Sequence, residues 1–460
     1  MIDTSDCIVV VANFDEIYTP TISSASRILR RRRREVARGL WQKALLCQDQ
    51  EGCVLISPAV PSNLDPVGGA WCAPGHLVVP KPRSGSVCRD LVDDQRAWAK
   101  LIRFLSKRQT RVRIVPQLHS PGIEVLVDAL LTSGIDVDTA ELPLVSGYTV
   151  AYWNTKVGGR ELLQSDPQVR RSLPSAAVCN TLAEVTALVA TADINQGIVV
   201  KANSSMGGVG TWTFPANADR RAEVISTTIS EQKSRGVSRW KPTYRKKTGW
   251  ETAGPYIVEE MVGDIERNCS PTADFWISVD SPGELIGMGE QLLEDGVAYH
   301  GCRYPIRAEP ARLERCVELG LLICMQLHRR GYRGFLNVDY ILPPDGGVWV
   351  AEINLRESAP LDQFLVMRRL FGDSWADKMS FVCEEAVALH GHSATVQDVS
   401  ESLLSELELH KDQIALPLAV YDGPVQEVAS VLVVAGDRMS VETLAAVTRC
   451  ESPEDINGDA

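Results

Sequence analysis

Two rhythms of apolar and polar positions alternate through the first 150 residues. CIVVVANF, VLISPAV and RVRIVPQL are short apolar runs of strand length. RREVARGLWQKALL, LVDDQRAWAKLIRFLSKR and PGIEVLVDALLTSG place their apolar residues at helical spacing, and the last closes on Gly134. Strand and helix in turn predict a parallel sheet with helices packed on it. No G-x-G-x-x-G turn follows the first strand, so a dinucleotide site is not expected.

The texture changes from residue 150 to about 370. WNTKVGGRELL opens a helix. GIVVKANSSMGGVGTWTF reads as strand, small-residue loop and strand, and YIVEEMV as a strand that ends in acids. DFWISVDSPGELIGMGEQLL is a strand pair about a turn. PARLERCVELGLLICMQLHRRGYRG is a helix that starts at Pro310 and stops at Gly331. Beyond 370, SWADKMSFVCEEAVALHG and SESLLSELELHKD read helical. EVASVLVVAGD reads as strand, SVETLAAVTRC as amphipathic, and ESPEDINGDA as an acidic tail. No internal repeat is visible.

The stretch Gly334–Ser358, GFLNVDYILPPDGGVWVAEINLRES, is a hairpin by its turn chemistry. Its strands carry Asp339, Glu352 and Asn354. Glu352 and Asn354 are two apart and share a face. A five-residue loop over 343–347 would set Asp339 opposite Ala351, on the wrong face. A loop one residue shorter or longer would bring it to the face of Glu352. The pattern alone leaves that register open.

Composition narrows the class. A chain of 460 residues predicts roughly two to three domains. An apolar fraction of 45% is that of a globular protein, and a net charge of −12 argues against a nucleic-acid or anionic-membrane partner. The 12 cysteines include no C-x-x-C pair, and no H-E-x-x-H occurs, so no zinc site is expected. Cys53, Cys316 and Cys324 lie in apolar runs and read as buried thiols. No signal-like segment opens the chain and no apolar run is long enough to span a membrane, which predicts a cytoplasmic protein. The Arg30–Arg34 run reads as a solvated helix face in preference to a patch for nucleic acid or an acidic partner. No G-x-S-x-G is present, so covalent hydrolysis is not supported.

The candidate chemistry lies in the middle region. Lys201 closes an apolar strand and precedes NSSMGGVG, whose small residues would let backbone N–H groups approach a phosphate. An ordinary hairpin turn competes with that reading, and no Walker A sequence occurs. Glu259 and Glu260 end the next strand, where acids are unusual. Asp339, Glu352 and Asn354 are hard oxygen ligands of the kind magnesium takes beside nucleotide phosphates. Arg356 could meet the charge of a transferred phosphoryl group. Residues 233–250, KSRGVSRWKPTYRKKTGW, interleave cations such as Lys246 and Lys247 with aromatics. They read equally as a lid on phosphates or an acidic peptide and as a solvated loop. His300, in GVAYHGCRYP, is a weaker substrate candidate.

In this order, lysine, glycine loop, Glu-Glu, Asp and E-x-N-x-R, residues of roughly 150–370 resemble the ATP-grasp superfamily. The resemblance implies a Rossmann-like pre-ATP-grasp domain (1–149) and a two-lobed ATP-grasp region (150–370, small lobe about 185–262). A C-terminal α+β segment (371–460) would follow. It implies that Lys156 and Lys201 hold nucleotide phosphates, with Ser204, Ser205, Gly207, Gly208 and Gly210 as the flap over them. Glu259, Glu260, Met261 and Val262 would read adenine, and Glu266 would meet ribose. Asp339, Glu352 and Asn354 would hold two magnesium ions, with manganese as a substitute. Arg356 matches the arginine of biotin-carboxylase-like members. Members like D-alanine–D-alanine ligase carry an arginine where this chain has Asn337, so Arg356, Arg303 or Arg307 must meet the acyl-phosphate charge. The family also implies the register that brings Asp339 to Glu352. The layout and AYHGCRYPI further resemble the pheganomycin-type peptide ligases of natural-product biosynthesis. The expected activity is an ATP-dependent carboxylate–amine ligase acting through an acyl phosphate, on an amino acid carboxylate and a peptide amine. An enzyme making a thioester or acyl phosphate, or a non-catalytic nucleotide binder, is the alternative. No nucleic-acid or membrane partner is expected, and a homodimer is left open.

Overall fold

The computed structural model describes residues 7–14, 16, 53–58, 76–108, 110–192, 197–203, 210–214, 255–294, 296–388, 413–422 and 427–436. The Arg30–Arg34 run, the glycine-loop residues 204–209 and the basic segment 233–250 lie outside them. So do the helices expected over 33–46 and 400–412 and the amphipathic stretch at 440–450.

The expected parallel sheet is present. It is built from β1 (Cys7–Val11), β2 (Val54–Ile56), β3 (His76–Val78) and β4 (Val112–Pro116), in the order β3-β2-β1-β4. Every residue of β1 is buried, because both faces of the sheet are covered. Leu91, Leu101, Leu105, Leu126 and Leu130 cover one face from three helices. The single helical run expected after residue 90 is two helices, Val87–Asp93 and Gln95–Arg108. Asp94 breaks it: its carboxylate accepts from the backbone N–H groups of Lys81, Arg96 and Ala97 at 3.1–3.2 Å.

A second sheet holds β5 (Ala176–Cys179), β6 (Ile198–Ala202), β7 (Thr211–Phe214) and β8 (Tyr256–Glu260), antiparallel, in the order β5-β8-β6-β7. Ile198, Val200, Ala202, Tyr256 and Val258 pack against the helix Leu182–Thr191. Strand alternation then sends Lys201 and Glu259 to the opposite face.

The third sheet has eight strands, antiparallel throughout. They are β9 (Pro271–Ile277), β10 (Glu284–Glu294), β11 (Ala298–Tyr304), β12 (Gly334–Ile341), β13 (Trp349–Asn354), β14 (Met379–Ala388), β15 (Gln413–Asp422) and β16 (Glu427–Gly436). Their order is β13-β12-β9-β10-β11-β14-β16-β15. The helix Pro310–Arg329 buries Cys316, Leu319, Ile323 and Leu327 against Phe275, Val338 and Tyr340. It ends where expected, with Gly331 at φ 86°.

One expectation fails here. The helix expected over 374–391 is a short 3-10 turn at Trp375–Asp377 followed by β14 over Met379–Ala388, whose Phe381, Val382 and Cys383 are wholly buried between its neighbours; 389–391 lie outside the described residues. The Ala, Glu and Met in this stretch favour a helix locally, and cross-strand burial overrides them.

Candidate active site

The register of β12 and β13 decides whether a site exists. Near the turn, Ile341 pairs with Trp349 and Tyr340 with Val350, as a five-residue loop requires. The register then shifts, and Asp339 pairs with Glu352. Ala351 is the extra residue of a β-bulge. Val350 packs on the core, and without the bulge alternation would return Glu352 to that same side. With it, Ile353 takes the core side with Val338, and Glu352 turns outward beside Asp339. The two registers that the sequence leaves open are both present, one on each side of Ala351.

The outward face is a polar layer across three strands. Thr272 and Asp274 of β9 pair with Asp339 and Asn337 of β12, and Asn337 pairs with Asn354 of β13. The Asp339 carboxylate accepts from Thr272 Oγ1 at 2.8 Å, Gln291 Nε2 at 2.5 Å and Asn354 Nδ2 at 3.4 Å. Burial raises its pKa, and the facing Glu352 adds to that. Burial would also raise Glu352, but the Lys156 and Lys201 ammoniums outweigh it and hold that carboxyl below its ordinary range.

Both lysines that the sequence singles out arrive here from other elements. Lys156 opens the helix Lys156–Gln164, and its Nζ forms an ion pair with Glu352 Oε2. Thr155 caps that helix, accepting from Gly158 N at 3.1 Å. Asn203, just before the glycine loop, holds the same helix end: its backbone and side-chain oxygens accept from Lys156 N at 2.8 Å and Val157 N at 2.9 Å. Lys201 Nζ lies 2.8 Å from Glu259 Oε2 and donates to the carbonyl of the bulged Ala351 at 3.3 Å. The bulge therefore serves twice, turning Glu352 outward and offering a carbonyl to the second sheet. Burial would lower the pKa of Lys201, yet Glu259 and Glu352 raise it, so it stays charged.

Glu259 is buried and also takes Arg160 Nη1 at 2.9 Å. In this state it partners two cations, a role the sequence did not suggest. Glu260 accepts from Ser175 N at 3.0 Å. Met261 N donates to Gly197 O at 2.9 Å, and Val262 O accepts from Asn268 Nδ2 at 2.8 Å. Glu266 is exposed. Of the flap, only Gly210 lies within the described residues, at φ 78°, which favours glycine; Ser204, Ser205, Gly207 and Gly208 lie outside them, as do Lys246 and Lys247.

The arginines divide. Glu290 receives Arg303 through Nε at 3.1 Å and Nη2 at 2.5 Å, and Arg307 through its backbone N at 2.9 Å and Nη2 at 3.2 Å. Burial would raise Glu290, and the two guanidiniums overcome it, so its pKa is lowered. Arg303 is buried in this fork, whereas the Arg307 side chain is largely exposed. The positive charge of Arg356 instead lowers the pKa of Asp339, Glu352 and Asp274. His300, on β11, has its Nδ1 3.6 Å from Oε2 of Glu384, on β14.

Asn337 donates to Thr272 Oγ1 at 2.7 Å and to Asp274 Oδ2 at 3.5 Å, and accepts from Asn354 at 3.0 Å. A neutral amide fits this position because its neighbours are already hydrogen-bonded. Asp274 escaped the sequence reading. It is 1% exposed, accepts from Ser358 Oγ at 2.7 and 2.8 Å, and burial pushes its pKa up to about 8, with the Asp339 charge adding to that. The signal lay in PTADFWI, where Thr272 and Asp274 are the polar members of a period of two.

Among the described residues no group of three or more His, Cys, Asp or Glu could hold a metal, so the hairpin's donor set is two carboxylates and an amide. No helix among them is long and apolar enough to cross a membrane.

Two antiparallel sheets facing one polar layer, with a parallel sheet beside them, make the ATP-grasp fold. Solved structures with this fold cover nearly the whole chain. An ADP complex of N5-carboxyaminoimidazole ribonucleotide synthetase aligns with a TM-score of 0.56 and 10% identity, over 98% of this chain and 97% of that one. The biotin carboxylase–βγ-ATP complex from Campylobacter jejuni aligns with a TM-score of 0.52 and 10% identity, over 95% and 89%. The biotin carboxylase domain of Hydrogenobacter thermophilus 2-oxoglutarate carboxylase, with MgADP and bicarbonate, aligns with a TM-score of 0.51 and 11% identity, over 96% and 89%. No family model matches the sequence, and no curated protein sequence is similar to it. At these identities the likeness shows the fold.

Proposed function

We propose that the chain is an ATP- and magnesium-dependent carboxylate–amine ligase. The observation that carries this reading is the bulge at Ala351, which sets Asp339 against Glu352 on a half-buried polar face within reach of lysines from two other elements. Two carboxylates opposed in a buried strand pair repel each other, and a cation between them would relieve that repulsion. The set therefore fits magnesium, held by Asp339, Glu352 and the Asn354 amide oxygen. When bound, magnesium neutralises phosphate charge. Complexes with ADP, MgADP and βγ-ATP named among structures of this fold support nucleotide as the substrate here.

The chain's own groups do the following. Lys156 and Lys201 exchange their carboxylate partners for the phosphates of ATP. Asn203 keeps the helix end bearing Lys156 beside the glycine loop. The Met261–Val262 backbone reads adenine. A carboxylate oxygen of the donor attacks the γ-phosphorus, the bond to the β–γ bridging oxygen breaks, and ADP leaves. Arg356 meets the charge of the acyl phosphate. The amine nitrogen then attacks the acyl carbon, phosphate leaves, and the nitrogen loses its proton to solvent or phosphate. Positioning and charge carry the rate, as in other phosphoryl transfers.

The finer reading is an amino acid donor and a peptide acceptor in a cytoplasmic biosynthetic enzyme, with segment 233–250 meeting the peptide. It rests on AYHGCRYPI and on the charge of that segment. The division into 1–149, 150–370 and 371–460 is part of the same reading. The test pairs amino acids as donors with short peptides as acceptors, following nucleotide and product mass together. ADP and phosphate, with a product of donor plus acceptor minus water, are expected. AMP, or a stable phosphate or thioester product, would contradict the reading.

A further inference from the structure

The backbone at Arg356 is tied to the end of the parallel sheet. The residue lies beyond the end of β13, between Asn354 and Ser358, which caps the helix Ala359–Phe371. Its backbone makes an antiparallel bridge with Leu118, and the next residue, Glu357, donates its N–H to Gln117 O at 2.8 Å. Gln117 and Leu118 directly follow β4. Asn13, just after β1 and wholly buried, grips Leu118 from both sides: Nδ2 donates to Leu118 O at 2.9 Å, and Oδ1 accepts from Leu118 N at 3.3 Å. Phe14 N donates to Gln117 Oε1 at 3.2 Å. The guanidinium carbon of Arg356 stands 5.7 Å from the centroid of the Phe14 ring, within reach of a cation–π contact.

We propose that Phe14 is a positioning residue for Arg356, with the Asn13–Leu118 clamp fixing the backbone beneath it, so that the parallel sheet takes part in the reaction proposed above. This rests on Arg356 acting in that reaction. A long arginine stem has many rotamers, and a ring beneath its head restricts them. The head must stay placed against charge that develops beside Asp339 and Glu352, where a displacement of about 1 Å lowers a rate strongly.

Two measurements on the full-length chain test this. The first is the NMR spectrum of protein labelled at arginine. A ring-current-shifted guanidinium signal is expected, absent in Arg356→Lys, returned to the ordinary range in Phe14→Leu, and kept in Phe14→Tyr. A wild-type spectrum without a shifted signal would overturn the proposal. The second is ADP formation from ATP and magnesium in the presence of a mixture of the proteinogenic amino acids. Phe14→Leu should lower kcat about 3- to 30-fold, the scale of one cation–π contact. KM for ATP and the melting temperature should not move, and Phe14→Tyr should restore kcat. In an Arg356→Ala background Phe14→Leu should add no further loss. Equal losses in both backgrounds, or none in either, would overturn the proposal. If Arg356→Ala alone left turnover intact, the role of Arg356 in the ligase reading would fail, and the shifted signal would still decide whether Phe14 places it.

Discussion

Among the described residues, Glu16 and the Asp339–Glu352 pair are carboxylates withdrawn from solvent in contrasting surroundings. Glu16, at the end of the parallel sheet, is 6% exposed and surrounded by donors. The hydroxyls of Ser86 and Ser120, Asn13 Nδ2 at 3.2 Å and Cys88 N at 3.5 Å all point at it. Both serines also cap helices, so this acid ties two helix starts to the sheet. Asp339 and Glu352 instead face each other across a strand pair, and the countercharge comes from distant parts of the chain. A buried acid supplied with hydrogen bonds is a structural part, because its burial is already compensated. Half-buried acids set against each other, and answered by lysines from other elements, are arranged for a ligand with positive charge.

The sharpest way to break this comparison is to neutralise Asp339. Asp339→Asn should lower ATP turnover by more than about a thousand-fold, since metal-held phosphate charge is worth several kcal/mol. Its melting temperature without nucleotide should be unchanged or higher, because one of two opposed charges is gone. A lower melting temperature with turnover intact would make the pair structural, like Glu16.

His119 supplies the next largest effect, on the parallel-sheet side. Burial lowers its pKa from 6.5 to about 4, and the Val145 backbone, which acts to raise it, does not offset this. Between those two values the unfolded chain binds a proton that the folded chain does not. Stability is therefore fully present above about pH 6.5 and falls by about 3 kcal/mol as pH drops toward 4. Urea midpoints across this range should show a steep acid limb that His119→Asn flattens; an identical limb in the variant would contradict the assignment.

Replacing either lysine should weaken ATP binding or turnover by about 1.5–3 kcal/mol, the loss of one charge-assisted contact. Titration of Lys156→Ala and Lys201→Ala with ATP measures it, and unchanged affinity and turnover in both would remove the phosphate role. The smallest effect belongs to Glu16. Glu16→Ala should lower stability by about 1–3 kcal/mol through the donors left unserved, with turnover of the folded fraction kept. Loss of turnover without loss of stability would place Glu16 with the functional acids.

How far the sequence discloses this arrangement differs by element. Three of the four strands of the parallel sheet, and its helices within the described residues, follow from apolar rhythm, because each run is long or sharply bounded; β3, three residues long, is too short to carry such a rhythm. The hairpin acids and both lysines are visible as residue types in order. The bulge is not: an alanine carries no signal for it, and the choice between two registers is settled by packing Val350 and Ile353 on the same core. Glu259 reads from sequence as a nucleotide contact, yet its pairing with Lys201 and Arg160 depends on three separate elements meeting. Strand β14 is hidden because MSFVCEEAVA has helix-forming composition, and only its place between β11 and β16 makes it extended.

The central claim is that the outward face of the hairpin is a metal–nucleotide site. A crystal structure of the full chain with magnesium and a non-hydrolysable ATP analogue tests it most directly. Magnesium is expected at about 2.0–2.1 Å from oxygens of Asp339, Glu352 and Asn354. Lys156 and Lys201 should have moved from Glu352 and Glu259 onto phosphate oxygens. Nucleotide bound elsewhere, or bound with those two ion pairs intact and no metal on the hairpin, would contradict it.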